Sequence, residues 1–203
     1  MDGQEMVLKQ YQAICEILTK DIKFVVGGAT SQVPESGKVS YAGDNLSIYV
    51  QDESAIEWII ENFAKKIEDE TSILVSHVHY RGKILNLKMF MDIGLGISHF
   101  NVFMRDFAKL DTRINKRFPV PVLTEYSYFA EILKDKADGA QYGDGFYYVW
   151  HNYDLDADKA VEFLVDRGYW KYVDYLSKNT EDMLEKDVLK ELNESYNNMK
   201  GFC

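Results

Sequence analysis

The sequence is poor in the residues that staple or stiffen small secreted domains, since its 203 residues contain two cysteines and three prolines. Cys15 falls on the apolar stripe of a predicted helix and Cys203 is the last residue, so we expect two free thiols and no disulfide. The longest stretch without acidic or basic residues runs from Ile93 to Met104. A membrane-spanning helix needs roughly 20 apolar residues. The sequence therefore predicts neither a disulfide-stapled scaffold nor a membrane protein.

Positive charge is also scarce, because 23 Lys and Arg stand against 33 Asp and Glu, for a net charge of -10. Nucleic-acid binding depends on a basic surface, so we expect no nucleic-acid partner. The N-terminal residues Met1 to Glu5 lack the basic and apolar segments of a secretory signal peptide, which predicts a cytoplasmic protein. Hydrophobic residues make up 46% of the chain, enough to build a folded core.

Motifs for a cofactor, a metal ion or catalysis are absent or incomplete. The Gly94-Leu-Gly96 segment lacks the third glycine of a dinucleotide-binding loop. His77 and His79 share one face of a predicted strand, but Lys88 opposes them and repels a cation. The aspartates at 154, 156 and 158 lack the glycine and glutamate that complete a calcium loop. The sequence therefore assigns no catalytic, cofactor-binding or metal-binding residue and no cofactor, and enzymatic activity stays open.

Hydrophobic periodicity predicts an ordered series of helices and strands in the first 118 residues. The series is a helix from Glu5 to Lys20, strands around Phe24 and from Asn45 to Val50, a helix from Ser54, a hairpin (Ile73 to Tyr80 and Ile84 to Met91), and a helix after Ser98. The second helix should bury Ile56, Ile59, Ile60, Phe63 and Ile67. The third should bury Phe100, Phe103, Phe107, Leu110 and Ile114.

A proline pair, Pro119 and Pro121, marks the expected boundary between two parts. The net charge is -2 up to residue 118 and -8 from residue 119 to the end. The second part should contain a helix from Glu125 to Lys136, a strand from Phe146 to His151 and two or three helices between residues 157 and 199. The predicted fold class is α+β: a twisted antiparallel sheet with packed helices (1–118), followed by a mostly helical, acidic and aromatic-rich part (119–203).

Two groups of residues suggest a partner-binding surface. On the predicted third helix, four cationic residues recur every four positions and form one stripe: Arg105, Lys109, Arg113 and Arg117. The second group belongs to a segment in which 11 of 34 residues are aromatic, and its members at consecutive or near positions cannot all face one core: Tyr147, Trp150, Tyr169 and Trp170. We expect a protein or peptide partner, with a homodimer as one form of it.

The order helix, strands, helix, hairpin, helix in residues 1–118 resembles the dimeric chaperones that escort effectors into bacterial secretion systems. The resemblance implies a cytoplasmic protein-binding module, chaperone-like or immunity-like. The alternative is an enzyme with a dispersed active site around His151 and the aromatic segment 142–175. A retained polypeptide on purification favours the first hypothesis, and a retained small ligand favours the second.

Overall fold

The computed structural model describes residues 3–43, 45–71, 73–81, 84–90, 97–139 and 145–201. The chain forms two compact units, Met1–Thr124 and Glu125–Cys203. The predicted boundary at Pro119 lies a few residues before the observed one. The difference arises because a short strand, Val122–Leu123, pairs with the first strand of the chain and so belongs to the first unit.

The first unit contains helices packed on a seven-stranded sheet. In chain order its elements are α1 (Gly3–Leu18), β1 (Phe24–Gly27), a 3-10 helix (Ala29–Gln32), β2 (Asn45–Val50), α2 (Glu53–Trp58), a π-helical turn (Ile59–Phe63), α3 (Ala64–Glu70), β3 (Leu74–Arg81), β4 (Ile84–Phe90), β5 (Ile97–Met104), a second 3-10 helix (Phe107–Lys109), β6 (Thr112–Arg113) and β7 (Val122–Leu123). The strand order is β3-β4-β5-β2-β1-β7-β6. The α+β class is confirmed. The sheet is antiparallel except for the pairs β2-β5 and β1-β7, which are parallel.

One face of this sheet forms the core of the first unit. Its central cross-strand row consists of Val26, Ile48, Val102 and Leu85, all fully buried. The predicted stripe of α1 packs in the same cluster, from Leu8 to Leu18. The Phe63 ring stacks on the Phe100 ring at 4.7 Å between centroids, which joins the second helical segment to β5. Since cross-strand neighbours share a face, the apolar residues of four strands are buried together.

A π-helical turn changes which isoleucines of the second helical segment are buried. Ile59 and Phe63 are fully buried, but Ile60 is 42% exposed. A π turn places more residues in one turn than an α-helix does, so the residue after Ile59 leaves the stripe that regular spacing predicts. The prediction that Ile60 belongs to the core is wrong.

Helix α2 also begins earlier than predicted, because Asp52 caps it by accepting a hydrogen bond from the Ala55 amide at 3.2 Å.

The predicted third helix is a strand. Residues 97–104 form β5, which pairs with β2 on one side and β4 on the other. Phe100 and Phe103 therefore lie on opposite faces of the sheet, and Ile114 is 82% exposed. Ser98 lies inside β5 and cannot cap a helix. The segment with Gly94 and Gly96 lies outside the described residues.

The regular elements described in the second unit are all helices. Its helices are α4 (Glu125–Ala137), α5 (Phe146–Asn152), α6 (Ala157–Asp166), α7 (Trp170–Asn179) and α8 (Met183–Gly201). The predicted helices around 125–136 and 157–199 are confirmed, whereas the predicted strand at 146–151 is a helix. Asp156 caps α6 by accepting a hydrogen bond from the Lys159 amide at 2.9 Å. None of the described helices has both the length and the apolar character needed to cross a membrane.

Candidate functional site on the polar face of the sheet

The face of the sheet opposite the core carries a row of small polar residues. Register pairs Gly27 with Ser47 and Ser47 with Asn101, so β1, β2 and β5 each contribute one residue to the row. Ser47 and Asn101 are 9% and 7% exposed. Polar residues are uncommon at the centre of a sheet, because a polar side chain that is removed from water costs free energy unless it is hydrogen-bonded. We call Gly27, Ser47 and Asn101 the polar row.

The turn after β1 depends on glycine. Gly28 has φ of 60°, which side chains disfavour, and a Cβ there would come within 3.2 Å of the Ser47 Oγ. The chain then enters the first 3-10 helix, where the Ser31 amide and hydroxyl both donate to the Gly28 carbonyl. The missing Cβ keeps the backbone next to Ser47 open to close approach.

Thr30 ties this turn to the segment that leads into β2. Its hydroxyl lies 3.0 Å from the carbonyl oxygens of Ala42 and Asn45. A Cβ on Gly43 would come within 2.7 Å of the same hydroxyl oxygen. Because the ends of β1 and β2 are held by a buried side chain, the position of Ser47 relative to Gly28 is fixed by the fold.

A cation borders the polar row two residues further along β2 and β5. The rings of Tyr49 and Phe103 meet edge to face at 5.5 Å between centroids. The Arg105 guanidinium lies 5.5 Å from the Tyr49 centroid and 5.1 Å from that of Phe103. The guanidinium also donates to the Met104 carbonyl. This side of the face therefore ends in a positive charge.

The other border of the polar row is formed by an amide and an imidazole. Asn45 and His99 are paired in register two residues before Ser47 and Asn101. The two rows supply hydroxyl, amide and imidazole groups, which are hydrogen-bonding side chains without a carboxylate. Neither row carries a carboxylate among the described residues, and no three His, Cys, Asp or Glu side chains of that part of the chain group together as metal ligands. The arrangement suits an anionic ligand with hydrogen-bonding oxygens.

The expected cationic stripe is not a helical stripe. Arg105 is 8% exposed and stacked as described above, whereas Lys109 ends the second 3-10 helix at the surface. Arg113 lies on β6 and donates to the Ser31 carbonyl at 3.4 Å. Arg117 donates to backbone carbonyls of the 34–37 loop and forms an ion pair with Glu5 at 3.5 Å. The four cations therefore share no face, because the segment is not helical. Their contact with a partner stays a prediction.

The expected aromatic surface is largely interior to the second unit. Trp150 is buried, and its indole donates to Glu191 at 3.2 Å. Tyr169 is buried, and its hydroxyl donates to the buried carboxylate of Glu131. The other two residues are partly buried. Tyr147 packs against the His151 ring, and Trp170 stacks on Tyr196. Partner binding by these four aromatics likewise stays a prediction.

His151, the centre of the alternative active site, is exposed on α5. Its ring lies 4.5 Å from that of Tyr147, and it makes no side-chain hydrogen bond or ion pair with another described residue. Asp154 follows the helix with φ of 47° and donates its amide to the His151 carbonyl. The geometry thus provides no acid-base pair at His151 within the described residues.

The register predicted for the β3-β4 hairpin is correct near its loop. His77 pairs with Lys88 and His79 with Asn86, while a bulge between Val75 and His77 shifts the pairing beyond them. The loop residues 82 and 83 lie outside the described residues. Asn86 pairs in turn with Asn101, so the hairpin extends the register of the polar row.

Comparisons with known proteins give the fold and no family. No protein-family model matches the chain. No curated protein sequence matches it either. The solution structure of the antibiotic-resistance factor ANT(2'')-Ia superposes with a TM-score of 0.50 and 11% identity, and the match covers 89% of this chain and 100% of that chain. The fold resembles that of nucleotidyltransferases.

Two further solved structures superpose less well. MenT4, a nucleotidyltransferase toxin from Mycobacterium tuberculosis, has a TM-score of 0.46 and 16% identity, over 92% of this chain and 80% of that chain. A protein from Helicobacter pylori that is described as a putative nucleotidyltransferase has a TM-score of 0.44 and 9% identity, over 96% of this chain and 94% of that chain.

This likeness corrects the expected function. The expected resemblance to secretion-system effector chaperones is wrong. It depends on a helix after Ser98, where the structure has β5. The observed fold resembles that of ANT(2'')-Ia instead. The prediction of a chaperone-like or immunity-like binding module is therefore wrong as well. Of the two expected functions, the enzyme agrees better with the fold.

Two signals in the sequence indicate the polar row, although none of its residues was predicted as a site. Gly27 and Gly28 follow an apolar strand directly, and Asn45 and Ser47 alternate with buried residues in β2. Asn101 was hidden because its segment was interpreted as a helix. The alternation of Asn101 with its apolar neighbours Phe100 and Val102 is the strand signal that could have found it.

Proposed function

We propose that the protein binds a nucleoside triphosphate on the polar face of the first unit, with the phosphates against the polar row. The observation that carries the proposal is the polar row itself, where Ser47 and Asn101 cross the sheet beside the glycine turn of Gly27 and Gly28. The fold shared with ANT(2'')-Ia supports a nucleotide over other anions. ANT(2'')-Ia is itself found in complex with adenylyl-2''-tobramycin.

The chemistry of the face agrees with a phosphate ligand. The Ser47 hydroxyl and the Asn101 amide can donate to phosphate oxygens. Gly28 offers a backbone without a side chain in the way. Arg105 supplies a fixed positive charge at the border, and the Tyr49 and Phe103 rings that hold it limit its motion. A local positive border attracts an anion even though the whole chain carries a net charge of -10.

Calorimetric titration of the full chain with ATP, CTP, GTP and UTP tests the proposal. We expect at least one of the four to bind, and the variant with Ser47→Ala and Asn101→Ala to bind it at least about tenfold more weakly, because two hydrogen bonds to a charged group are lost. His151→Ala is the matched control, since it removes the centre of the alternative site and should leave the affinity unchanged. Binding that is lost in His151→Ala and kept in the double variant would overturn the proposal.

A further inference from the structure

Nucleotidyl transfer is a reaction for which a pair of metal ions is the common solution. In polymerases two ions about 3.5–4 Å apart hold the attacking and leaving oxygens. Mg²⁺ in such sites is bound by one or two carboxylates together with the phosphates of the substrate. A chain that carries out this reaction is therefore expected to present carboxylates where the phosphates lie. The polar row allows that expectation to be tested residue by residue.

The residues of the polar row do not fit such a pair of ions. Neighbouring strands lie about 4.8 Å apart, so Ser47 and Asn101 occupy positions from which two carboxylates could share one ion. They supply a hydroxyl and an amide instead. Asn45 and His99, the next pair along the same strands, supply an amide and an imidazole. Neutral amides and hydroxyls are weak magnesium ligands beside a carboxylate, and the described residues of both rows contain no carboxylate.

The presence of a hydroxyl and an amide in place of carboxylates changes what the triphosphate requires in order to bind. A carboxylate beside a phosphate repels it unless a cation lies between them, so a site built on carboxylates holds its nucleotide only with the metal. A hydroxyl and an amide carry no charge and donate directly to phosphate oxygens. Arg105 at the border contributes positive charge without a metal. The face is thus complementary to a metal-free triphosphate.

We infer that this chain binds its nucleoside triphosphate without a divalent cation and does not carry out metal-dependent nucleotidyl transfer. The inference rests on the proposed function, because it concerns the same ligand at the same residues. A metal-dependent transferase would have carboxylates at these positions. The difference from such an enzyme therefore lies in the side chains of the site and not in the fold. The nucleotide then acts as a bound ligand of the first unit.

The first experiment titrates the full chain with ATP in buffer containing MgCl₂ and in buffer containing EDTA. We expect the two dissociation constants to agree within about twofold, well inside the tenfold change that 1.4 kcal/mol produces. Binding that is at least about tenfold weaker in EDTA would overturn the inference and leave the proposed function intact. If none of ATP, CTP, GTP and UTP binds in either buffer, the proposed function and the inference fail together.

A second experiment introduces the carboxylates. In the variant with Ser47→Asp and Asn101→Asp, we expect ATP to bind at least about tenfold more weakly in EDTA than in MgCl₂, because two carboxylates now repel the phosphates. The variant should also bind MnCl₂ alone, which the wild type should not. Ser47→Asn matches the aspartate in size without its charge, so its dissociation constant for ATP should be the same in EDTA as in MgCl₂, and it should not bind MnCl₂. Binding of MnCl₂ to the wild type as tightly as to the aspartate variant would overturn the inference.

Asp44 is tested in the same series because it precedes Asn45 in the sequence. Asp44→Asn should leave ATP binding and its indifference to EDTA unchanged. Thermal unfolding of each variant separates a change in ligand chemistry from a loss of fold. If Asp44→Asn abolishes magnesium-dependent binding that the wild type shows, a carboxylate does serve the site and the inference fails.

Discussion

The ring of Tyr49 lies over the backbone of Gly27, so that a Cβ built on Gly27 would come within 2.8 Å of the Tyr49 Cζ. Tyr49 is buried and is paired in register with Phe103 on the next strand. Arg105 packs on both rings. The ring therefore has little room to move, and the last residue of β1 has to lack a side chain. Glycine is needed at position 27 because a side chain would meet the Tyr49 ring, and at position 28 because the backbone has a positive φ.

This relationship predicts that Gly27→Ala destabilises the protein by about 1 to 3 kcal/mol, the usual cost of overpacking. The second change Tyr49→Leu should recover part of that loss when added to Gly27→Ala. Urea unfolding of the two single variants and the double variant measures the coupling, which should exceed about 0.5 kcal/mol for residues in contact. Additive losses would show that the ring does not limit position 27.

The π-helical turn predicts opposite outcomes for two neighbouring isoleucines. Ile59→Ala should cost about 2 to 5 kcal/mol because Ile59 is fully buried. Ile60→Ala should cost less than about 1 kcal/mol because 42% of Ile60 is already exposed. Chemical denaturation of the two variants at one pH gives the comparison. Equal losses would favour the regular α-helical stripe over the π turn.

Arg105 and Lys109 both belong to the cationic stripe expected from the sequence. Replacing them should change the stability of the protein by very different amounts. Arg105→Ala removes a stacked and buried guanidinium and should cost about 1 to 3 kcal/mol, from lost cation-π and packing contacts. Lys109→Ala changes an exposed residue and should stay within about 0.5 kcal/mol. Arg105→Lys keeps the charge but not the planar stacking, so it should restore only part of the loss. The three variants are compared by thermal unfolding.

The misassigned β5 shows where sequence reasoning failed. Spacings of three and four between Phe100, Phe103, Phe107 and Leu110 satisfy the helical period. The alternation of Phe100 and Val102 with Asn101 satisfies the strand period equally well. Pairing with β2 and β4 decides between them, and that pairing is long-range. The helix α1 has no such competitor, because its buried stripe at 7, 8, 11, 14, 15 and 18 fits one period only.

The candidate site was beyond reach for a related reason. The polar row exists only when β1, β2 and β5 are adjacent, and β2 pairs with β5 across the whole intervening helix and hairpin. The sequence shows Ser47 and Asn101 as separate polar residues in apolar surroundings.

In the second unit the wrong prediction of a strand has a local cause. The Phe146–Asn152 segment has the aromatic content of a strand, and its packing as α5 overrides that propensity.

Cys15 should be unreactive in the folded protein. It lies on the buried stripe of α1, and burial raises the pKa of its thiol far above the usual value, with a smaller contribution from the charge of Glu16. The thiolate is the reactive form. In the variant Cys203→Ser, a disulfide reagent such as Ellman's reagent should label no thiol under native conditions and one thiol in denaturant. Rapid native labelling would show that α1 opens or packs differently.

The cap of α2 predicts an acid-dependent loss of stability. The Ser54 hydroxyl donates to the Asp52 carboxylate, and this hydrogen bond, followed by the one from the Ala55 amide, lowers the pKa of Asp52. The pKa is therefore lower in the folded state than in the unfolded state, where an aspartate titrates near about 3.9. The contribution is complete above the unfolded pKa and disappears as the pH falls through the folded pKa.

The variant Asp52→Asn isolates this effect, because asparagine is also a good N-cap but carries no charge. We expect the wild type to be more stable than Asp52→Asn at neutral pH, and the difference to shrink as the pH falls below about 4. Ser54→Ala removes the largest cause of the lowered pKa, so in that variant the acid-dependent loss should be smaller and should be complete at a higher pH. Urea unfolding at a series of pH values measures all three proteins. A difference between wild type and Asp52→Asn that stays constant from neutral to acid pH would show that the carboxylate charge does not stabilise the helix.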